Sequence, residues 1–255
     1  MLDAVVLAGG VDRGEIAAET GIIHRPLLEV GGAPMIQRTL AALRGASSVG
    51  EVALVAPEPV QLAVSEDAVD IRVPAGDAFV DNIDRGIQAH AGGTDALLLL
   101  SADIPLITSA AINDLAQQAL AARADVAYPI IPRESCEREF PGARRTYVTL
   151  KDGVYTGGNA VVVKRDFLQL RRELIENLFA ARKNPLKLAA MFGLGLIFAL
   201  VTRRLSLSRA EARVSQIVGG KVAAIISTYP ELGFDVDKLE DLNLARRVAA
   251  SFDPR

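Results

Sequence analysis

Two short, uninterrupted apolar runs constrain this chain more than any other feature: DAVVL at 3–7 and ALLLLS at 96–101. A strand with one wet face alternates polar and apolar residues. A run apolar at nearly every position has to be covered on both faces. Each run is too short for a buried helix, and the first stops at Gly9-Gly10, which reads as a tight turn. A sheet covered on both faces needs helices above and below it.

The segments around these runs supply them. Residues 34–45 begin with Pro34, end on Gly45 and carry Met35, Ile36, Leu40 and Leu43 at helical spacing. The pattern continues with a strand at 51–57, a short strand near 70–73, a helix over 78–90, a helix over 110–122 and a strand at 125–131. Alternation of strand and helix predicts an α/β fold with a mostly parallel central sheet. The charged, proline-bracketed residues 132–145 read as a surface loop, and 146–164 as a hairpin turning at Asp152-Gly153 followed by a strand from Ala160. Helices are expected over 166–182, 186–204 and 208–218, then a strand at 222–226 and a final helix starting near Lys238. No internal repeat or linker divides the 255 residues, so a single domain over 1–255 is expected, with a helical insertion at about 166–218.

Several function classes are disfavoured by content. A net charge of −3 lacks the basic excess of a nucleic-acid-binding domain. The lone Cys136 allows neither an intrachain disulfide nor a cysteine metal cluster, and two histidines, His24 and His90, do not make a multi-histidine zinc site. The N-terminus lacks the pattern of a signal peptide, because Asp3 interrupts it and no basic residues precede the apolar run. These features fit a cytoplasmic protein. The most apolar stretch, LAAMFGLGLIFALV at 188–201, is shorter than the roughly 20 residues of a bilayer-spanning helix. It reads as a buried helix or half of a homodimer interface. With Lys183, Lys187, Arg203 and Arg204 at its ends, peripheral membrane contact is the other reading.

In a sheet of this kind ligands bind beyond the carboxyl ends of the strands. Two loops leave strand ends there, GGVDRG after the first run and ADIP after the second. Glycines after a strand let backbone N–H groups approach a phosphate closely, or they merely turn the chain. Asp103 in ADIP is placed to hold a hard cation, or to close a turn before Pro105. Asp237 of GFDVDKLEDL has Glu240 three residues on, the spacing of a capping box, and one carboxylate can both cap and bind. Arg13 and Arg25 lie in or beside the glycine loop, as solvated loop residues or as neutralisers of a triphosphate.

In order and spacing, LAGG, a basic residue before P-L-L-E-V-G-G-A-P-M-I, then D-I-P, then D-K-L-E-D-L resemble the MobA-like NTP transferases, the family of molybdenum-cofactor guanylyltransferase. The resemblance implies a three-layer α/β/α, Rossmann-like (GT-A-like) fold and Mg²⁺-dependent transfer of a nucleoside monophosphate from an NTP, GTP or CTP favoured. The acceptor would be a phosphorylated or hydroxylated small molecule, and pyrophosphate would leave. It implies nucleotide contacts at Leu7, Ala8, Gly9, Gly10, Gly76 and Asn82. Arg13, Arg25 and Asp103 would be catalytic, and Asp103 with Asp237 would hold the metal, Asp235 being the alternative second ligand. TGGNA implies an acceptor loop at Gly157, Gly158 and Asn159. The loop GGVDRGE departs from the family's G-x-G-x-R-M-G, and Arg25 stands where lysine is usual. A glycosyltransferase of the same fold lacks support because Asp103 is followed by Ile-Pro rather than forming D-x-D. A non-catalytic nucleotide sensor is the alternative that the variant loop suggests.

Overall fold

A computed structural model describes residues 1–90, 93–181, 191 and 193–252. Strand β1 (Leu2–Leu7) is followed by helix α1 (Glu15–Thr20), short strands β2 (Glu29–Val30) and β3 (Ala33–Pro34), and helix α2 (Met35–Arg44). Next come β4 (Val49–Ala56), α3 (Glu58–Leu62), β5 (Ile71–Pro74), α4 (Phe79–Ala89) and β6 (Ala96–Ser101). The middle of the chain holds α5 (Ser109–Ala122), β7 (Val126–Pro132), α6 (Arg133–Glu139), β8 (Val148–Leu150), β9 (Gly153–Gly157) and β10 (Ala160–Lys164). The remainder comprises α7 (Arg165–Leu170), α8 (Arg172–Ala181), α9 (Leu194–Val201), α10 (Leu207–Val218), β11 (Val222–Ile226) and α11 (Leu239–Phe252).

The central sheet runs β5-β4-β1-β6-β10-β7-β9-β8, with β11 on the other edge of β7. It is mostly parallel: β10 and β9 run against the strands they pair with, and the others share one direction. β1 lies between β4 and β6, with Val5 opposite Ala53 on one side and Leu99 on the other. Successive side chains alternate faces, and here both faces are covered. Ala4, Val6, Leu98 and Leu100 join the layer containing Leu40 of α2 and Ile112 of α5. Val5, Leu97 and Leu99 join the layer containing Ile83 and Ile87 of α4. That division is the physical reason the two strands are apolar throughout.

Gly86 shows how closely α4 lies on β1. A Cβ there would collide with Val5 Cγ1 and stand 3.2 Å from Cγ2. Val5 is fully buried and has nowhere to move. Gly86→Ala is therefore expected to lower stability by about 1–3 kcal/mol despite alanine's better helix propensity, as read by urea denaturation. A neutral or stabilising change would mean that α4 stands farther from β1 than this.

Several expected elements change. Residues 133–139 form α6 rather than loop: Ser135 and Cys136 turn inward, and Arg133 pairs with Glu137 one turn on, so the charges occupy the wet face of a short helix. The glycine-rich stretch 7–32 contains α1, which buries Ile16 between Gly14 and a left-handed Gly21. The helix expected over 166–182 is two helices, α7 and α8, because Arg171 leaves helical geometry. Of the helix expected over 186–204, residues 186–190 and 192 lie outside the described residues, and 194–201 form α9. Phe198 and Val201 of α9 are exposed, and among the described residues no helix is long and apolar enough to cross a membrane.

A third apolar cluster lies beyond the strand ends. It packs Ile16, Leu28 and Met35 against Phe140, Phe234 and Val236, together with Leu242 and Ala245 of α11. This cluster draws three distant segments of chain to the carboxyl end of β1 and β6.

Candidate functional site

Asp103 stands just beyond β6, where Ala102 N–H donates to Leu7 O at the end of β1. The backbone at 234–237 runs extended past it, and Val236 N–H donates to Asp103 O at 3.0 Å. Val236 is fully buried. The extended chain sends its two flanking side chains the opposite way, which brings Asp235 and Asp237 to Asp103. One oxygen from each of Asp103, Asp235 and Asp237 lies within 4.8 Å of the others. Three hard oxygen donors so close together suit a hard divalent cation such as Mg²⁺.

Two guanidinium groups offset their charge. Arg25 Nη1 donates to Asp237 Oδ1 at 2.5 Å and to Val236 O at 3.2 Å, and lies 3.9 Å from Asp103 Oδ2. Arg145 grips Asp235 by Nη1 to Oδ1 at 2.6 Å and by Nη2 to the backbone carbonyl at 2.7 Å. Its guanidinium also lies 4.6 Å from the ring centre of Phe234 and 3.6 Å from Asp241 Oδ1. Asp103 accepts a short hydrogen bond from Ser101 Oγ.

These surroundings separate the three carboxyl groups. Burial is the main influence on Asp235 and, with the like charges of Asp103 and Asp237, lifts it to about 7 against the pull of Arg145. Burial also raises Asp103, partly offset by the Ser101 hydrogen bond and the Arg25 charge. At Asp237 burial opposes ionisation, but the Arg25 hydrogen bond and charge outweigh it and hold the group below its ordinary value. The unfolded chain loses the Asp235 proton near 3.8, whereas the folded chain keeps it to about 7. That contribution to stability is full below 3.8, declines as pH rises and is gone above about 7. With chelator present, the melting temperature should fall between about pH 5 and about pH 7, and Asp235→Asn should flatten the decline. A melting temperature that rises over that range in the wild type would contradict the assignment.

The capping-box reading of Asp237 and Glu240 is not what forms. Asp241 reaches back to accept from Asp237 N–H at 3.3 Å and Lys238 N–H at 3.0 Å. Glu240 instead faces Arg144 at 3.6 Å. The cap is made one residue later because Asp237 is engaged by Arg25, which leaves its carboxylate in the cluster.

The glycine loop leaves the end of β1, where Ala8 N–H donates to Val55 O. A side chain on Gly9 would press on Asn82 Nδ2 at 2.7 Å, whereas one on Gly10 would meet nothing within 4 Å. Gly10 therefore borders open space. Asn82 is buried and holds Gly76 by both amide atoms, accepting from its N–H at 2.6 Å and donating to its carbonyl at 3.2 Å. Leu7, Ala8, Gly9, Gly76 and Asn82 thus meet at one end of the sheet. Arg13 is exposed on the loop, and among the described residues the guanidinium contacts to the cluster come from Arg25 and Arg145.

Gly157 ends β9, and Gly158 and Asn159 form the break before β10. Asn159 O accepts from Ser101 N–H at 3.1 Å, next to the residue that supports Asp103. A Cβ on Gly157 would collide with the Tyr128 hydroxyl, and one on Gly158 would lie 2.7 Å from Pro129 Cγ. The Tyr128 hydroxyl donates to Gly158 O at 2.9 Å, and burial together with the nearby Asp235 raises its pKa. Sequence reading had no reason to single out Tyr128, Ser101 or Arg145. Tyr128 stands in a strand, Ser101 ends an apolar run, and Arg145 is one of many charges in the segment 132–145.

A family model described as "MobA-like NTP transferase domain" matches residues 4–210. Among solved structures, the chain is similar to a hypothetical transferase from Thermus thermophilus, with 32% identity and a TM-score of 0.83 over 94% of this chain and 99% of that one. It is also similar to a CMP:2-keto-3-deoxy-manno-octonic acid synthetase complexed with CTP, at 16% identity and a TM-score of 0.62, covering 99% of this chain and 100% of that one. A third likeness is to 2-C-methyl-D-erythritol 4-phosphate cytidylyltransferase, also from Thermus thermophilus, at 17% identity and a TM-score of 0.57, covering 98% and 100%. These last two likenesses are of fold. A search of curated proteins gives no match.

Proposed function

The chain belongs to the MobA-like NTP transferase family and is a nucleotidyltransferase; on that premise we propose that it moves a nucleoside monophosphate from GTP or CTP to a phosphorylated or hydroxylated small molecule. The observation that carries this reading is the convergence of Asp103, Asp235 and Asp237 beside Arg25, at the strand ends where the glycine loop also emerges. Asp103 and Asp237 would hold Mg²⁺, with Asp235 tied down by Arg145. The metal's chemistry is neutralisation of phosphate charge as pyrophosphate departs.

The chain's own groups do the positioning. Leu7, Ala8, Gly9 and Gly10 line the entry for the nucleotide, with Asn82 fixing Gly76 against them. Arg13 and Arg25 supply positive charge to the triphosphate. The acceptor enters past Gly157, Gly158 and Asn159 and attacks the α-phosphorus in line. A bond forms from the acceptor oxygen to phosphorus while the bond to the β-phosphate oxygen breaks, and the electron pair leaves with pyrophosphate. An acceptor phosphate is already ionised at neutral pH, and a hydroxyl acceptor would pass its proton to water or to the departing pyrophosphate, so such a reaction depends on positioning and electrostatics rather than on a nucleophilic side chain. We read residues 1–255 as one domain with an insertion at about 166–218 between β10 and β11, of which 182–190 and 192 lie outside the described residues.

A thermal-shift screen with GTP, CTP, ATP and UTP, each with and without Mg²⁺, identifies the donor. One nucleotide should raise the melting temperature only when Mg²⁺ is present. Pyrophosphate release against a panel of sugar phosphates and polyols then identifies the acceptor class. No shift with any of the four nucleotides would remove the donor from this reading, and release of a nucleoside diphosphate would point to glycosyl transfer instead.

A further inference from the structure

We propose that Arg25 is a built-in counter-cation, which holds the place between Asp103 and Asp237 in the nucleotide-free chain and yields it to the metal when a triphosphate offers the guanidinium other oxygens. This rests on the metal reading above and deepens it, because it fixes the order in which metal and nucleotide enter.

The geometry sets up a direct competition. Nη1 of Arg25 bonds to Asp237 Oδ1 at 2.5 Å and approaches Asp103 Oδ2 at 3.9 Å. A divalent cation held by these two carboxylates would compete with the guanidinium nitrogen for the same oxygens. Two cations cannot share that space, and their mutual repulsion in a partly buried site opposes entry of the metal while the guanidinium is there.

The two guanidinium groups of the cluster are held very differently. Arg145 is 9% exposed, stacked on Phe234 and doubly bonded to Asp235. Arg25 is 30% exposed, and its carboxylate partner Asp237 is 58% exposed. The backbone of Arg25 is fixed, since it opens a short 3-10 turn whose next residue, Pro26, is buried. Only the side chain is left to move. Asp12 of the glycine loop is near enough for its charge to act on Arg25. A triphosphate on that loop gives the guanidinium the oxygen pairs that its planar fork matches best. Release of Arg25 then bares two carboxylates beside the phosphates, so the metal enters with the nucleotide rather than before it.

Mn²⁺ titration followed by EPR, on the metal-free protein with no nucleotide added, tests this. Arg25→Gln should bind Mn²⁺ at least about tenfold more tightly than the wild type, and adding Asp237→Asn should abolish the gain. Arg25→Lys, which keeps one charge but loses the fork, should fall between the two. It carries the comparison if circular dichroism shows that Arg25→Gln is unfolded. Equal or weaker Mn²⁺ binding in the variants, still dependent on Asp237, would overturn the counter-cation role and leave the metal site standing. Mn²⁺ bound by no variant, together with a nucleotide shift indifferent to Mg²⁺, would overturn the metal reading itself.

Discussion

Asp103→Asn is expected to reduce nucleotidyl transfer on the order of 10³-fold, equivalent to about 4 kcal/mol of transition-state stabilisation, while leaving the metal-free protein as stable as the wild type. The two halves of that expectation have different causes. Asn keeps the oxygen that accepts from Ser101 Oγ, and it removes a carboxyl group that burial already disfavours in ionised form. It also removes the negative charge from the innermost member of the Asp103, Asp235 and Asp237 group. The fold therefore loses nothing it needs, and the cation loses its best-shielded ligand. Single-turnover kinetics with the identified donor, alongside calorimetry with chelator, separates the effects. A variant that keeps its full rate would remove Asp103 from the metal site. A variant that loses both rate and melting temperature would make Asp103 a structural residue.

Arg145→Met should be the most destabilising single change near the site, by about 3 kcal/mol at neutral pH. Methionine fills much of the volume over Phe234 but offers no donors. Asp235 loses its 2.6 Å partner while remaining 20% exposed, and its backbone carbonyl loses a 2.7 Å hydrogen bond. Without the guanidinium Asp235 holds its proton more firmly at neutral pH, so the cost lies in the lost hydrogen bonds and in the ionised fraction left without a partner. Acidification should return part of the loss, since protonated Asp235 no longer needs the guanidinium, and Asp235→Asn combined with Arg145→Met should be milder than Arg145→Met alone. Urea denaturation of the four proteins forms the double-mutant cycle. Strictly additive losses would show that Arg145 supports the fold through Phe234 or Asp241 rather than through Asp235.

The prediction on Gly86 and the one on Arg145 mark the two ends of what this sequence discloses. The packing of α4 on β1 is implicit in the run AVVL: a strand apolar on both faces demands a helix on each, and the parallel sheet follows. The hairpin at 148–157, the strand at 222–226 and the last helix were legible in the same way, from periods of two and of about four within a few residues. Asp103 was legible as a carboxylate just past a buried strand. Asp237 was legible as a second candidate ligand, with Asp235 as the alternative to it rather than its companion. α6 was not, because its charges outnumber its two inward residues and the pattern is too short to show a period.

By itself, then, the sequence determined the layers of the fold and the strand ends from which chemistry would be presented, since these follow from local periodicity and the demand that apolar faces be covered. Only the tertiary structure decided which charges meet there. Arg25 and Asp237 are 212 residues apart, and Arg145 and Asp235 are 90 apart. They meet because Phe140, Phe234, Val236 and Leu242 bury one another against Leu28 and Met35 beyond the sheet. An ion pair leaves no period in the chain. Its partners are chosen by where the apolar residues beside them come to rest.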